Sequence, residues 1–148
     1  ASTLKVITNY LASVHLVALG EAWTVAKKSN LDLEKTFKGI AASSGNSFVH
    51  ETESQVILNG SYNINFTMDL VLKDTGLFDD LAKKLNAPLE ISPKVVEIFK
   101  DGQKKYGSRA WSSMIVKRME DLNNIDFRAK GFPEELVDNE PEEKGYEI

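Results

Sequence analysis

The sequence predicts an all-α protein, a multi-helix bundle arranged around one long N-terminal helix. Residues 3–28 contain no proline and carry apolar side chains at helical spacing, and residues 66–85 form a second long stretch of the same kind. No segment shows the alternating apolar pattern of a β-strand, and no segment is repeated. With 148 residues, the chain is long enough for one domain with a sizeable core and too short for two.

The first predicted helix is apolar on nearly all sides, which is typical of a central, buried helix. One apolar stripe at helical spacing consists of Leu4, Ile7, Leu11, Val14, Ala18, Ala22 and Val25. Other faces are also apolar, through Tyr10, Leu16, Val17, Leu19 and Trp23. Of the polar exceptions, we expect His15 to be a hydrogen-bonded core residue. We expect Glu21 to pair with a backbone group or a basic neighbour. Gly20 predicts a close helix crossing, within this chain or with another subunit.

Two shorter helices are predicted next. Asp32 is a suitable N-cap for a helix over residues 33–42, and the run Ser43-Ser44-Gly45-Asn46 predicts a turn. A third helix over residues 47–58 is expected to pack through its apolar side chains, Phe48, Val56 and Ile57.

The second long helix, residues 66–85, has an apolar stripe interrupted by one lysine: Phe66, Leu70, Lys73, Leu77, Leu81 and Leu85. Ser92 as a hydroxyl N-cap, with Pro93 in the first turn, predicts the start of the next helix, which Gly107 ends. A last helix is expected over about residues 109–123.

The composition of the chain excludes several classes of site and partner. The chain has no cysteine, which excludes disulfides and cysteine-ligated metals and fits a reducing cytoplasm. The formal net charge of −4 argues against nucleic acid as a partner, and no stretch is apolar enough to cross a membrane. We expect residues 1–124 to form the domain and residues 125–148 to form an acidic tail that docks on it through Tyr146 and Ile148. The chain begins without an initiator Met, which suggests a piece of a longer protein.

Lys5 and Asn9 are the most informative polar pair. They are four residues apart, so they share one face of the first helix. A neutral lysine in a dry site can exchange a proton with a substrate hydroxyl, and the asparagine could hold the same oxygen or a neighbouring one. The alternative is that Lys5 lies in the first helical turn and points into water.

Lys73, followed by Asp74, is the second candidate. On the apolar stripe its ammonium could face a ligand, or its stem could pack while the amine reaches solvent. The two histidines, His15 and His50, have no partner at metal-ligand spacing, so no metal site is predicted. The sequence also lacks a G-x-G-x-x-G loop, a Walker loop and a nucleophile elbow.

Taken in order, these motifs resemble the C-terminal domain of the β-hydroxyacid dehydrogenases, the 3-hydroxyisobutyrate dehydrogenase-like family. The matching residues are Lys5-x-x-x-Asn9, Glu21-Ala22, Ser43-Ser44-Gly45 and Phe66-x6-Lys73-Asp74, the last with Leu70 in place. The resemblance covers about residues 3 to 122. It implies an all-α fold like the C-terminal domain of 6-phosphogluconate dehydrogenase.

The resemblance also implies roles for individual residues. Lys5 corresponds to the catalytic acid/base, and Asn9 and Phe66 to residues that contact the substrate. Lys73 corresponds to a lysine near the nicotinamide end of the cofactor, and Asp74 to a site-supporting position. The implied reaction is reversible hydride transfer between NAD or NADP and a short β-hydroxy acid.

Two features depart from the family pattern. An acidic residue usually precedes a Ser-Ala near the last helix, where this chain has Ala110-Trp111-Ser112-Ser113. The Rossmann domain that binds the dinucleotide in the family is also missing, so we expect this chain alone to be inert and to dimerise through its helices. The rival interpretation is a free-standing helical dimerisation or protein-binding module with no redox role.

Overall fold

The computed structural model describes residues 2–137, and every regular element in that part of the chain is a helix. Thr67 and Trp111 form one isolated antiparallel bridge between two loops. The predicted all-α bundle is confirmed. Its helices are α1 (Thr3–Lys28), α2 (Leu33–Ala41), α3 (Phe48–Asn59), α4 (Met68–Lys84), α5 (Ile91–Tyr106) and α6 (Met114–Asn123).

Helix α1 is the centre of the bundle, because it packs against each of the other five helices. Its predicted bounds are confirmed at both ends. The Ser2 side chain caps the helix by accepting a hydrogen bond from the backbone N–H of Lys5 at 3.1 Å. Two lysines in the last turn, Lys27 and Lys28, lie where the helix dipole favours positive charge.

The expectation that α1 is buried on nearly all sides was wrong for one side of the helix. Leu4, Ile7, Leu11 and Val25 are all exposed, from 38% at Ile7 to 66% at Val25. The core instead receives a different face of the helix, whose apolar members are Val6, Leu16, Leu19, Trp23 and Ala26. Because α1 is apolar on several sides, periodicity alone could not choose between them. The fully buried indole of Trp23 shows which side packs, and its Nε1–H donates to Ser54 Oγ at 3.2 Å.

The apolar stripe of the second long predicted helix is also largely exposed. Phe66, Leu70, Leu77 and Leu85 lie at the surface. The core receives Met68, Val71 and Thr75 instead. Lys73 therefore lies on the exposed side of α4, so its charge is not buried among the apolar residues of the stripe.

Two polar residues of α1 also differ from expectation, because His15 and Glu21 are exposed rather than buried. Both side chains lie on sides of the helix that do not face the core. The close crossing predicted at Gly20 is confirmed, and it lies within the chain. A Cβ added there would lie 3.2 Å from Met119 Cγ and 3.6 Å from Val116 Cα, so α6 crosses α1 at this glycine.

Two helix starts and the burial of one side chain differ from those predicted from the sequence. Helix α5 begins at Ile91, so Ser92 is not its N-cap; the buried Ser92 hydroxyl donates to Asp79 Oδ1 at 2.5 Å instead. Helix α6 begins at Met114 rather than near Arg109, because residues 108–113 form turns that pair with the loop before α4. Phe48, predicted to pack, is 79% exposed, whereas Val56 and Ile57 are fully buried.

Residues 125–137 lie against the loop that ends α3. Phe127 is fully buried, and the backbone N–H of Ala129 donates to Leu58 O at 3.0 Å. Asn59 Nδ2 donates to Phe132 O at 3.0 Å, which fixes the segment further along. Tyr146 and Ile148, the residues expected to anchor the tail, lie outside the described residues. Among the described helices, none has the length and apolar character of a membrane-spanning segment.

Candidate active site

A hydrogen bond between α1 and α4 lies at the centre of the candidate site. Asn9 Nδ2 donates to Asp74 Oδ2 at 3.0 Å, and both residues are half-buried. A carboxylate that accepts from one amide N–H fixes the orientation of the asparagine side chain. The second N–H and the carbonyl of that amide are then oriented for a ligand.

Asn9 and Asp74 line a cavity of about 370 Å³ together with Phe66, and we call it the Asn9 cavity. Its walls come from α1, α3, α4 and α5, from the loops beside α4 and α6, and from residue 136. Most of the wall is apolar, including Leu16, Ile64, Val71, Phe99 and Leu136. A cavity of this kind, with few polar groups on an apolar wall, is typical of a small-molecule site.

The structure brings three of the five sequence-predicted site residues to this cavity: Asn9, Phe66 and Asp74. Lys5 and Lys73 are exposed and are not part of its wall. Lys5 lies one helical turn before Asn9, and Lys73 directly precedes Asp74, so both lysines adjoin the cavity residues along their helices. Lys5 is thus not in the dry site that the sequence interpretation required, and no residue that the structure describes covers it.

Ser112 is a cavity residue that the sequence interpretation did not assign. It belongs to the Ala110-Trp111-Ser112-Ser113 segment, which departs from the family pattern. Its backbone N–H donates to Phe66 O at 2.8 Å, beside the bridge between Thr67 and Trp111. These backbone bonds hold Phe66 at the cavity wall.

Glu53 on α3 is the second cavity residue that sequence reasoning missed. Its Oε1 is buried and has no hydrogen-bond partner among the described residues. Burial raises the pKa of this carboxyl to about 7, because the charged form loses its hydration. A signal was present in the sequence: Glu53 follows Val49 by four residues and precedes Val56 by three, so it lies on the apolar face of α3.

A second buried carboxyl, Glu120, lies away from the cavity and holds the segment after α6. Arg128 Nη1 donates to Glu120 Oε1 at 3.3 Å and lies 3.3 Å from Oε2. Burial raises the Glu120 pKa to about 7, and the neighbouring Arg128 opposes the shift. Unlike Glu53, this carboxyl has a cation beside it.

Comparisons with known proteins match this architecture to one family. Residues 1–119 match the family model described as the NAD-binding domain of NADP-dependent 3-hydroxyisobutyrate dehydrogenase. The L-threonate dehydrogenase of Escherichia coli K12 is 30% identical over 116 residues, which are 78% of this chain and 38% of that enzyme. The 2-(hydroxymethyl)glutarate dehydrogenase of Eubacterium barkeri is 29% identical over 82% of this chain and 41% of its own length.

Solved structures show the same fold. A 3-hydroxyisobutyrate dehydrogenase from Salmonella typhimurium superposes with a TM-score of 0.73 at 29% identity, over 79% of this chain and 41% of that one. The chain thus spans about two fifths of the length of these relatives, and it matches their C-terminal part. Nicotinamide-dependent dehydrogenases are therefore its homologues. The chain belongs to the 3-hydroxyisobutyrate dehydrogenase family.

Proposed function

We propose that this chain is the helical substrate-binding and dimerisation domain of an NAD(P)-dependent oxidoreductase that acts on a short β-hydroxy acid, such as 3-hydroxyisobutyrate. In this proposal residues 1–124 form the domain, and residues 125–148 dock on it. The observation that carries the proposal is the Asn9–Asp74 hydrogen bond at the wall of a small, mostly apolar cavity. Membership of a family of dehydrogenases supports the reaction class.

Lys5 is the proposed acid/base. In oxidation of the hydroxy acid, a neutral Lys5 Nζ takes the proton of the substrate hydroxyl while the carbon–hydrogen bond of the same carbon breaks. In reduction, the Lys5 ammonium returns the proton to the carbonyl oxygen. Asn9 binds the substrate beside Lys5, and the Asp74 carboxylate keeps the Asn9 amide in position. Since Lys5 is exposed in this chain, it needs a covering domain before it can work in a dry site.

The dinucleotide requires a second domain, and we place only its nicotinamide end against this chain. The Lys73 ammonium, at the surface of α4 next to Asp74, is the proposed contact of the cofactor, whereas the Phe66 ring, 37% exposed at the cavity wall, offers an apolar face to the substrate. An ammonium donor fits the carboxamide that the nicotinamide ring carries. NAD or NADP, when bound, supplies the hydride acceptor.

The proposed partners are a dinucleotide-binding Rossmann domain and a second copy of this chain. The exposed apolar residues of α1, Leu4, Ile7 and Leu11, support the homodimer, because a row of such side chains on one helix favours burial. We propose that the complete enzyme works in the cytoplasm, which the absence of cysteine suits.

The test is reconstitution. The chain is joined to the Rossmann domain of the E. coli L-threonate dehydrogenase, and the absorbance of NADH or NADPH is followed with 3-hydroxyisobutyrate and with L-threonate. We expect turnover from the joined protein and none from the chain alone. Absence of turnover with both acids and both cofactors, in a folded and dimeric protein, would instead favour the helical binding module without a redox role.

A further inference from the structure

Glu53 has an unusual environment for a carboxyl group. The residue lines the Asn9 cavity and is half-buried as a whole, but its Oε1 atom is buried and has no hydrogen-bond partner in the described part of the chain. Buried polar atoms in native proteins nearly always have a hydrogen-bond partner, so an orphaned carboxyl oxygen beside a cavity indicates a missing donor.

Two neighbouring hydroxyl groups already donate to other acceptors. The Ser13 hydroxyl donates to Asn9 O at 3.0 Å, and the Thr52 hydroxyl donates to Phe48 O at 2.9 Å. Neither hydroxyl therefore donates to Glu53, and a molecule in the cavity can supply a donor to this carboxyl.

The charges at the cavity restrict the occupant. Within the described residues, Glu53 and Asp74 are the ionisable groups of its wall, and no lysine, arginine or histidine lines it. Asp74 already accepts a hydrogen bond from Asn9. A substrate carboxylate would be repelled here and would lie outside the cavity. The end of the substrate remote from its carboxylate would then enter the cavity.

We propose that Glu53 is a specificity-determining residue that binds a hydroxyl group at the end of the substrate remote from the carboxylate. This inference rests on the proposed function and extends it from a short hydroxy acid to one with a further hydroxyl. The hydroxyl would donate to the Glu53 carboxyl while Asn9 holds the reacting end.

A hydroxyl matches Glu53 better than an ammonium does. With a pKa of about 7, the carboxyl is present in both protonation states near neutral pH. A hydroxyl can donate to the carboxylate and can also accept from the protonated form, whereas an ammonium can pair only with the carboxylate. An apolar group would leave Oε1 without a partner in either state.

The test compares two acids that differ in one hydroxyl, L-threonate and the 2,3-dihydroxybutanoate of the same configuration. In the reconstituted enzyme we expect kcat/KM to be about tenfold higher for L-threonate. A tenfold ratio corresponds to the free energy of one additional hydrogen bond. Glu53→Leu should bring the ratio close to one, and Glu53→Gln, which still bonds a hydroxyl, should retain most of it. Glu51→Leu, on the exposed side of α3, is the control and should leave the ratio unchanged.

Three results would overturn the inference. The first is a wild-type enzyme that favours the acid without the terminal hydroxyl, and the second is an unchanged ratio in Glu53→Leu. The third is a preference for the 4-amino analogue that is lost in Glu53→Gln, which would identify an ammonium as the ligand. A purely structural role of Glu53, which would lower kcat/KM for both acids equally, would give the second of these results.

Failure of the proposed function can be told apart from failure of this inference by binding to the chain itself. Backbone amide shifts of α3 are followed by NMR during titration with each acid. Shifts produced by L-threonate, absent with the deoxy acid and lost in Glu53→Leu, would support the Glu53 site even without turnover. No shift with either acid in a protein without turnover would refute both proposals.

Discussion

Replacing Glu53 by glutamine should change how the stability of the fold depends on pH. The carboxyl pKa is raised from 4.5 to about 7 in the folded chain by burial. The folded state therefore binds more protons than the unfolded state between these two values, so the free energy of unfolding falls as the pH rises through this window. At about 1.4 kcal/mol for each pH unit of displacement, the loss is up to about 3 kcal/mol.

Urea unfolding of the 148-residue chain at pH 4, 5, 6, 7 and 8 measures this effect. Glu53→Gln removes the ionisable group, so the variant should gain stability relative to the wild type by up to about 3 kcal/mol between pH 4 and pH 8. The pH dependence from Glu120 and the exposed acids is common to both proteins and cancels in the difference. Glu51→Gln, exposed on the same helix, should follow the wild type. Parallel curves for Glu53→Gln and wild type would show that the Glu53 carboxyl is not desolvated.

Three further predictions concern the packing of the chain and its assembly into a dimer. Gly20→Val should destabilise the chain by about 2 kcal/mol in urea unfolding, because an added Cβ meets α6, whereas Gly39→Val meets nothing and should not. Phe127→Ala should cost about 4 kcal/mol through the cavity it leaves, whereas truncation of the 79% exposed Phe48 should cost far less. Leu11→Glu should shift the chain to a monomer in sedimentation velocity if α1 forms the dimer contact; an unchanged dimer would place that contact elsewhere.

Local signals in the sequence were sufficient for both ends of α1 and for the start of α2. The bounds of α1 followed from a continuous run of helix formers after Ser2, whose side chain caps the helix as expected of serine. Asp32 likewise caps α2, by accepting from Lys35 N at 2.9 Å. These features depend on residues within one turn of each other, so the sequence alone could supply them.

Choices that depend on tertiary packing were not available from the sequence. Helix α1 has apolar residues on several sides, and only contact with the neighbouring helices decides that Leu16 is buried while Leu11 is exposed. The start of α6 was misplaced because residues 108–113 pair with the loop before α4, a contact distant in sequence. At the site, spacing brought Asn9 and Asp74 into consideration, whereas their hydrogen bond and the buried Glu53 needed the assembled bundle.

The catalytic role of Lys5 is the central claim, and single-turnover kinetics of the reconstituted enzyme test it most directly. Lys5→Ala is compared with Lys28→Ala, an exposed lysine at the other end of α1. We predict that Lys5→Ala lowers the rate of NAD(P)H formation by at least about 100-fold, the usual contribution of a general acid/base, while cofactor affinity and folding stay unchanged. Lys28→Ala should retain the wild-type rate. A wild-type rate in Lys5→Ala would remove Lys5 from the mechanism.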